Sequence, residues 1–407
     1  MVPNGWEVEN LGEIFPKIVV GYVGNVNDHY CSPEDGVPFY RTLNIRDGNF
    51  RHIDLKYVTK EFNDKNKKSQ IQNNDILIAR VGANLGMVCK VSGLQGVANI
   101  ANVIIIKSES ISEADIDFFT YFLLSPLGKR QIYAGAGGGA QGVFNTKLTQ
   151  KLKVPVPPLP EQQKIAKILT TWDKAISTTE RLIDNSKQQK KALMQQLLTG
   201  KKRLLDDNGE RFEGEWDWLR ASEIFKPISK KNNSANEELL SVTQDRGVLP
   251  RSILERRVVM PDGSTKGYKL VEKGNFIISL RSFQGGLEYS YFRGLVSPAY
   301  TVLEPIVEIN DEFYKHYYKS YDFIGHLAVA VIGIRDGKQI SYTDFSFLRL
   351  PYPPLKEQQK IAAVLTNADR EIELLEQQLT DLQQEKKALM QVLLTGKKRV
   401  VVDGGTA

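Results

Sequence analysis

The sequence predicts an α+β protein in which two similar globular domains alternate with two long helices. The helices are expected to pair as an antiparallel coiled coil, with an approximate twofold axis relating the halves. Three observations predict this organisation: a segment of 47 residues occurs twice, each copy has the apolar spacing of a coiled-coil helix, and about 150 residues of mixed patterning precede each copy. At 407 residues the chain also exceeds the usual size of one hydrophobic core.

The repeat aligns residues 157–203 with residues 353–399 at a constant offset of 196 and without a gap. The two copies are identical at 28 of 47 positions and share the blocks KKALMQ and LLTGKKR. Chance does not produce such a match, so the chain contains an internal duplication.

Each copy is predicted to form one long helix. Pro160 suits a first helical turn, and Glu161 and Glu357 place negative charge at the positive end of each helix. Gly200 and Gly396 are expected to end the helices in the left-handed conformation. Apolar residues recur at steps of three and four, as in a coiled-coil seam. The seam positions are Ile165, Leu169, Trp172, Ile176, Ile183, Leu193 and Leu197, and then Ile361, Leu365, Ala368, Ile372, Leu375, Leu379, Leu382, Leu389 and Leu393.

The order of the segments predicts the direction of helix pairing. A helix of about 38 residues is roughly 57 Å long and needs a partner for its apolar stripe. If the second helix pairs with the first in the same chain, it has to run back towards the start of the first. The predicted segments are globular domains at 1–156 and 204–352, helical regions at 157–203 and 353–400, and a tail at 401–407.

The two globular segments share a weaker pattern. Each opens with an aromatic and acidic phrase, WEVENLGEIF from Trp6 and WDWLRASEIF from Trp216. Each then has a strand-like run, NNDILIARVGANLG at 73–86 and EKGNFIISLRSFQGG at 272–286, and later an aromatic helical stretch. Both segments are therefore expected to have one α+β fold.

Polar and basic residues lie in the predicted loops of both domains. Arg, Lys, Asn and Gln carry the donors and acceptors that read base edges or bind phosphates, although each one taken singly is more often a solvated surface residue. The candidate DNA-binding residues are Arg41, Arg46, Arg80, Asn84 and Lys90 in the first domain, and Arg246, Arg251, Lys266, Lys269, Arg281, Gln284, Arg335 and Lys338 in the second.

The helices repeat polar residues that an apolar seam does not explain. A plain spacer needs only the seam, whereas two equivalent protein-docking surfaces would account for repeated glutamines and lysines. The candidate docking residues are Glu161, Gln162, Gln163, Lys164, Lys190 and Lys191, with their counterparts Glu357, Gln358, Gln359, Lys360, Lys386 and Lys387.

No catalytic or metal site is evident in the sequence. The glycine-rich run GAGGGAQG at 135–142 lacks the Lys-Ser/Thr of a nucleotide loop. The four histidines show no metal-ligand spacing, and Asp75 is explained by a strand-start turn rather than by a nuclease site. The Asn/Asp-Pro-Pro-aromatic tetrapeptide of amino-methylating DNA enzymes is absent.

Composition is compatible with a polyanionic partner but does not establish one. The net charge is +6, two cysteines do not build a disulfide framework, and no apolar run reaches the length of a membrane span. A cytoplasmic protein that makes no contact with a membrane is expected.

The duplicated phrases PPLPEQQKIAKIL and KKALMQQLLTGKKRL resemble the two conserved helical regions of the DNA-specificity subunit of Type I restriction–modification enzymes. The second copy reads PPLKEQQKIAAVL and KKALMQVLLTGKKRV. The order domain, helix, domain, helix resembles that family over essentially the whole chain.

This resemblance implies a non-catalytic, prokaryotic, cytoplasmic subunit that binds double-stranded DNA. Each target-recognition domain would read one half of a bipartite, asymmetric sequence, and the helices would set the gap. Two modification (methyltransferase) subunits, which hold S-adenosylmethionine, would dock on the helices and methylate adenine. Restriction/translocase subunits, which use ATP and Mg, would complete the assembly, so the chain itself would need no cofactor.

Two alternatives stay open at the level of sequence. One is a free-standing tandem DNA-binding protein or spacer without catalytic partners. The other is a self-contained enzyme such as a single-chain methyltransferase, which the missing catalytic motifs disfavour.

Overall fold

A computed structural model of the chain describes residues 2–109, 114–136, 143–231, 237–244, 246–254, 265–330 and 340–402. The fold divides into two compact units, Met1–Thr179 with Gln378–Ala407, and Glu180–Gln377. Each unit thus contains one globular domain and one half of each long helix. This division cuts the helices in the middle, whereas the boundaries predicted from sequence follow the helix ends.

Among the described residues, the first globular domain contains twelve strands and five α-helices. The strands are β1 (Glu7–Asn10), β2 (Ile18–Val20), β3 (Gly36–Tyr40), β4 (Ile45–Arg46), β5 (Asn49–Phe50), β6 (Lys56–Thr59), β7 (Gln70–Ile71), β8 (Ile76–Ala79), β9 (Val88–Lys90), β10 (Ala98–Ile100), β11 (Val103–Ile106) and β12 (Lys153–Val156). The helices are α1 (Leu11–Ile14), α2 (Lys60–Lys65), α3 (Ile116–Leu124), α4 (Pro126–Gly135) and α5 (Thr146–Gln150). The first long helix, α6 (Leu159–Leu197), follows.

The second globular domain contains ten strands and five helices in the described residues. The strands are β13 (Asp217–Arg220), β14 (Phe225–Ile228), β15 (Leu240–Thr243), β16 (Gly247–Pro250), β17 (Lys269–Val271), β18 (Phe276–Ile278), β19 (Glu288–Tyr289), β20 (Gly294–Val296), β21 (Thr301–Pro305) and β22 (Arg349–Tyr352). The helices are α7 (Ala221–Ile224), α8 (Ser282–Gly285), α9 (Asp311–Tyr317), α10 (Tyr321–Ala330) and α11 (Tyr342–Ser346). The second long helix is α12 (Leu355–Leu393).

The two domains share one sheet topology. The strand order β2-β11-β8-β9 in the first domain corresponds to β14-β21-β18-β19 in the second, and the pair β1-β12 corresponds to β13-β22. A further sheet of the first domain, β6-β3-β10-β7, contains a parallel β3–β10 pair. The second domain retains this parallel step as a single bridge between Leu239 and Leu295. The prediction of one α+β fold for both domains is confirmed.

The central strands β8 and β18 are buried on both faces. In β8, Ile76 and Ile78 enter one core while Leu77 and Ala79 enter another, because successive side chains point to opposite faces of a sheet. Residues 276–278 of β18 alternate between two cores in the same way.

The two long helices run antiparallel within each unit. In the first unit, Ile165 and Leu169 near the start of α6 share a core with Leu393 and Leu394 at the end of α12. In the second unit the end of α6 shares a core with residues 361–365 at the start of α12. The predicted antiparallel pairing is therefore confirmed in both units.

Both helices end as their glycines predicted. Gly200 and Gly396 have φ values of 70° and 69°, a left-handed conformation that glycine adopts without steric penalty. The backbone N–H of Lys202 then donates to the carbonyl of Gln196 at 3.0 Å, and Lys398 repeats this bond to Val392 at 3.1 Å. These bonds satisfy carbonyl groups that a helix end otherwise leaves unpaired.

Asp75 is a structural residue. Its carboxylate is fully buried and accepts from the Lys107 Nζ at 2.9 Å and from the backbone N–H of Gln72 and Ser108. These bonds close the turn before β8, in agreement with the structural interpretation of this residue. Of the glycine-rich run 135–142, residues 137–142 lie outside the described residues.

Candidate nucleic-acid interface

In the first domain, Arg46 and Asn84 meet at the loop that follows β8. The Arg46 Nη1 donates to the Asn84 Oδ1 at 2.8 Å and to its neighbouring carbonyl, that of Ile45, at 3.0 Å. The Asn84 Nδ2 donates to the carbonyl of Thr42 at 3.0 Å. These bonds join residues 80–87, the β8–β9 loop, to the segment around β4, so two of the five predicted residues lie together.

The other three predicted residues of this domain are more dispersed. The Arg41 Nη2 contacts Asp54, at 2.6 Å from its carbonyl and 2.7 Å from its carboxylate. Arg80 lies in the β8–β9 loop, where its Nε is buried without a hydrogen-bond partner among the described residues. Lys90 forms an ion pair with Asp117 in the first turn of α3, so its ammonium is occupied by the domain itself.

In the second domain, the corresponding loop lines a groove of about 520 Å³. The groove lies between the end of β15, the segment Ser279–Arg281 and Tyr300. The Gln244 Nε2 donates to the Arg281 carbonyl at 3.2 Å and leaves the exposed Arg281 side chain at the rim. The Lys269 Nζ donates to the Tyr300 carbonyl at 2.5 Å, and burial lowers the pKa of this lysine. Arg281 and Gln244 therefore line the groove together, and Lys269 contacts the carbonyl of the groove residue Tyr300.

The remaining candidates of the second domain are less informative. Arg246 and Gln284 are exposed beside the groove segments. Arg251 has two buried guanidinium nitrogens without a hydrogen-bond partner among the described residues. Arg335, Lys338 and the side chain of Lys266 lie outside the described part of the chain. The DNA-contact assignments in both domains stay predictions.

The two arginines chosen after the matched strands are not structural equivalents. Gly86 and Gly286 end the two loops with φ values of 80° and 75°. Counting back from these glycines aligns Arg80 with Leu280, which is exposed, and places Arg281 one residue later. The loop thus ends in a left-handed glycine in both domains, while the residue types at 80–85 and 280–285 differ at every position.

Glu161 and Glu357 are buried, so the expectation that they belong to an exposed docking surface is wrong. Glu161 is 3% exposed; it accepts from the Trp6 Nε1 at 3.0 Å and from two nitrogens of Arg399, both at 2.7 Å. We call this group the Trp–Glu–Arg cluster of the first unit. It ties the start of α6 to both the N-terminal and the C-terminal segments.

The second unit repeats the Trp–Glu–Arg cluster. Glu357, which is fully buried, accepts from the Trp216 Nε1 at 3.0 Å and from two nitrogens of Arg203 at 2.6 and 2.7 Å. Each arginine also lies over its tryptophan ring, at 5.7 Å in this unit and 5.8 Å in the other. The repetition of these glutamates is therefore explained by intramolecular bonding.

Gln162 and Gln358 are also buried, at 1% and 0% exposure, and the docking expectation is wrong for them as well. The Gln162 Oε1 accepts from the backbone N–H of Asp115, while its Nε2 donates to the carbonyl of Pro157, both at 2.8 Å. Gln358 makes the same two bonds, to Asn310 at 2.9 Å and to the carbonyl of Pro353 at 2.8 Å. Gln162 thus fixes α6 to the start of α3 in the first domain, and Gln358 fixes α12 to the start of α9 in the second.

Lys190 and Lys386 interrupt the apolar seam because they form ion pairs between the helices. In the first unit the Lys386 Nζ lies 2.5 Å from the Asp173 Oδ1, and the Tyr121 hydroxyl donates to the Asp173 Oδ2 at 2.6 Å. Burial, followed by the bond to Asp173, raises the pKa of Tyr121. Since both lysines are largely covered, at 20% and 22% side-chain exposure, the seam accounts for them without a docking role.

The second unit places histidine where the first has tyrosine. Lys190 pairs with Asp369, and His316 lies 3.8 Å from the other oxygen of that carboxylate. Burial lowers the pKa of His316 to about 4, and the positive charge of Lys190 acts in the same direction. The histidine is therefore neutral near pH 7.

The exposed candidates on the helices are the ones that a partner protein could reach. Lys360 is half-exposed and contacts Asp207 at 2.5 Å. The exposed docking candidates are Gln163, Lys164, Lys191, Gln359 and Lys387. Partner docking by these six residues stays a prediction.

Residues that the sequence reasoning missed include Asp173 with Asp369 and Arg203 with Arg399. Each pair is identical at the offset of 196 residues, so the repeat itself contained the signal. A polar residue that is repeated on a helix can bind another residue of the same chain as well as a partner protein. Sequence alone does not distinguish these two cases.

Comparison with known proteins identifies the family. The family profile described as the Type I restriction modification DNA specificity domain matches residues 3–186 and 213–384. The putative type I restriction enzyme MjaX specificity subunit of Methanocaldococcus jannaschii is 26% identical over 427 residues, covering 98% of this chain and 95% of that protein. The MjaVIII specificity subunit of the same organism is 25% identical over 418 residues, covering 98% and 94%.

Solved structures agree at the level of the fold. The S subunit of the Type I restriction–modification system from M. genitalium superposes with a TM-score of 0.58 at 15% identity, over 97% of both chains. The HsdS subunit from Thermoanaerobacter tengcongensis gives a TM-score of 0.50 at 16% identity, over 98% of both chains. With two matched specificity domains, each joined to a long helix by the same buried cluster, the chain belongs to the family of Type I restriction–modification specificity subunits, which are DNA-recognition rather than catalytic subunits.

Proposed function

We propose that each globular domain reads one half of a bipartite, asymmetric double-stranded DNA target. The β8–β9 loop of the first domain and the loop between β18 and β19 of the second supply the reading residues. One observation carries this proposal. The two loops follow equivalent strands in equivalent sheets, one in each domain, but their side chains differ. Different donors and acceptors at equivalent places select different bases.

In the first domain, the pair of Arg46 and Asn84 combines a guanidinium with an amide. A guanidinium is suited to guanine edges and a carboxamide to adenine edges. In the second domain, the carboxamide of Gln244 and the guanidinium of Arg281 line a groove of about 520 Å³, at places in the fold that differ from those of Asn84 and Arg46. Since phosphate contacts add affinity without sequence preference, the surrounding lysines and arginines contribute mainly to general DNA binding.

The helices would set the gap between the half-sites and dock two adenine-methylating modification subunits. The exposed lysines and glutamines that α6 and α12 share support docking of one kind of partner at two equivalent places. S-adenosylmethionine would be held by those subunits, and ATP and Mg by restriction subunits. The assembly would act in the prokaryotic cytoplasm, where its DNA target lies. No helix in the described residues is long and apolar enough to span a membrane.

Domain exchange tests this proposal. Residues 1–156 are replaced by the first domain of a relative, and methylated adenines are mapped in a genome that carries the chain and its partner subunits. We expect one half of the methylated motif to change while the other half and the gap stay the same. A motif that changes in both halves, or in neither, would refute the assignment of one half-site to each domain.

A free-standing DNA-binding protein is the second candidate. It would bind its site with full affinity in the absence of any methyltransferase and would not co-purify with one. Because Glu161, Gln162, Glu357 and Gln358 are buried, only the exposed lysines and glutamines of the helices support docking. Co-purification with a methyltransferase distinguishes the two candidates.

A further inference from the structure

A lysine from the helical side of the first domain holds the β8–β9 loop in place. Lys129, on α4, donates from its Nζ to the carbonyl of Gly86 at 2.6 Å and pairs with the carboxylate of Asp47. The same Asp47 oxygen accepts from the backbone N–H of Val88 at 2.9 Å. The lysine therefore links the end of the reading loop to the turn between β4 and β5.

A lysine makes the corresponding contacts, to a loop and to a neighbouring turn, in the second domain. Lys319, between α9 and α10, donates to the carbonyl of Gly285 at 2.8 Å and to the carbonyl of Gln244 at 3.1 Å. Its third contact is the buried carboxylate of Glu288, at 2.5 Å. The loop between β18 and β19 is thus joined to the turn after β15.

The two lysines do not occupy equivalent sequence positions. When the aromatic helices are aligned on Ser125 and Ser320, Lys319 falls on Leu124 and Lys129 falls on Ile324. The same link between a reading loop and its neighbouring turn is therefore built from two different places in the chain. A contact that arises twice from different positions is explained by what it does to the loops rather than by the duplication.

Both loops are also seated closely on the helical side of their domains. A Cβ on Gly86 would lie 2.7 Å from the Tyr133 ring, and a Cβ on Gly286 would lie 1.7 Å from the Tyr318 carbonyl. The lysine side chains are largely covered, at 14% and 31% exposure, and burial lowers the pKa of Lys129. The ammonium groups are thus directed at the loops and not at bulk solvent.

We propose that Lys129 and Lys319 are positioning residues for DNA recognition, each fixing the reading loop of its domain against the neighbouring turn without touching DNA. The inference rests on the proposed function, in which these loops read the half-sites. A loop held in its bound conformation loses less conformational entropy when it binds. An ammonium with three donors suits this role because it can bind several acceptors on different segments at once.

The test compares Lys129→Met and Lys319→Met with wild type. Methionine retains an unbranched side chain of similar length but has no hydrogen-bond donor. The matched controls are Arg130→Met, an exposed neighbour on α4, and Lys315→Met on α9, whose ammonium binds Tyr291 and Glu312 rather than the loops. The full-length chain in complex with its modification subunits is used throughout. Affinity is measured for a duplex with the methylated motif and for one without it, and the methylated motif is mapped for each variant.

Each methionine variant should bind the specific duplex about tenfold or more weakly, as expected for lost hydrogen bonds to a charged group. Non-specific affinity should change less than twofold, because neither lysine is assigned a phosphate contact. Lys129→Met should relax the methylated motif only in the half read by the first domain, and Lys319→Met only in the other half. The control variants should match wild type.

Three results separate the possible failures. Wild-type specific affinity and an unchanged motif in both methionine variants would overturn the positioning role. Equal loss of specific and non-specific binding would also overturn it, since the lysines would then act as phosphate contacts. A wild-type complex that does not distinguish the two duplexes would refute the proposed function itself.

If a methionine variant does not fold, Asp47→Ala keeps the inference testable. Asp47 is half-exposed, so its removal leaves the domain core intact while it deletes one end of the link. The exchange of backbone amide hydrogens at residues 85–88 should then accelerate, and the first half-site should relax. Unchanged exchange and an unchanged motif would overturn the inference for the first domain.

Discussion

Removing the charge of a buried glutamate should destabilise the second unit more than the first. In the second unit, Glu357→Gln would leave Arg203, whose side chain is 16% exposed, without its counter-charge. Arg399, which pairs with Glu161 in the first unit, is 44% exposed. Glu161→Gln and Glu357→Gln change equivalent atoms in the two Trp–Glu–Arg clusters. They therefore differ mainly in how much water can reach the arginine of each cluster.

The expected magnitudes follow from this difference in exposure. Breaking a buried ion pair by changing one partner costs about 3–5 kcal/mol. In the Glu357→Gln variant, Arg203 would still donate to the carbonyls of Gly214 and Glu213. The expected loss in the free energy of unfolding is therefore near the lower end of this range, at about 3 kcal/mol. For Glu161→Gln, water replaces part of the lost interaction, and the cost should be about 1–2 kcal/mol.

Native-state hydrogen exchange read by mass spectrometry measures both units in one sample. Peptides from residues 159–170 and 390–400 report the first unit, and peptides from residues 194–204 and 355–366 report the second. Glu385→Gln, an exposed glutamate on α12, is the control and should change neither. Equal losses in the two units, or a larger loss from Glu161→Gln, would refute the argument from burial.

Three further predictions concern pH, DNA binding and assembly. The pKa of His316 is about 4 in the folded chain, against an ordinary value of 6.5. Between these two pH values the unfolded chain binds a proton at this histidine that the folded chain does not bind. The free energy of unfolding should therefore fall by about 3 kcal/mol as the pH drops from 6.5 to 4. His316→Gln should remove that part of the slope in urea unfolding at pH 7, 5.5 and 4.5, and an unchanged slope would contradict it. Arg80→Ala and Arg281→Ala should each weaken specific DNA binding by about tenfold, from about 1–3 kcal/mol per base contact, and unchanged affinity in both would remove them from the reading residues. Lys164→Glu should reduce co-purification of a modification subunit without lowering the midpoint of unfolding by more than the control Lys174→Gln, an exposed lysine of α6 outside the docking set, and normal assembly would show that this face is not the docking surface.

Much of the framework could be predicted from the sequence because it depends on local patterns and on the repeat. The apolar runs with β-branched residues identified β8 and β18, and the glycines at 200 and 396 identified the helix ends. The direction of helix pairing followed from chain order alone. These features need no knowledge of distant contacts.

The polar residues of the helices could not be assigned in this way. Glu357 binds Trp216 and Arg203, which are 141 and 154 residues away in sequence, and Glu161 binds Arg399 at a separation of 238 residues. On a helix that is otherwise solvated, a charged residue is ordinarily an exposed one. Only the three-dimensional arrangement reveals that these charges are buried and paired.

The proposed reading residues were only partly predictable for a related reason. Residue type indicated Arg46, Asn84 and Arg281 as candidates, but the contact of Gln244 with the β18–β19 loop depends on β15 ending beside that loop. Lys129 on α4 and Lys319 in the turn between α9 and α10 show no local sequence sign of a role in the loops. Contacts between segments that are distant in sequence arise from the sheet topology, so a local sequence pattern does not predict them.

Selection of binding sites from randomised duplex DNA tests the central claim most directly. The chain is assembled with its modification subunits, and the bound duplexes are sequenced. Two short specified blocks of different sequence, separated by a gap of fixed length and free composition, are the expected result. One continuous specified block, or two blocks of the same sequence, would contradict the assignment of one half-site to each of two unlike domains.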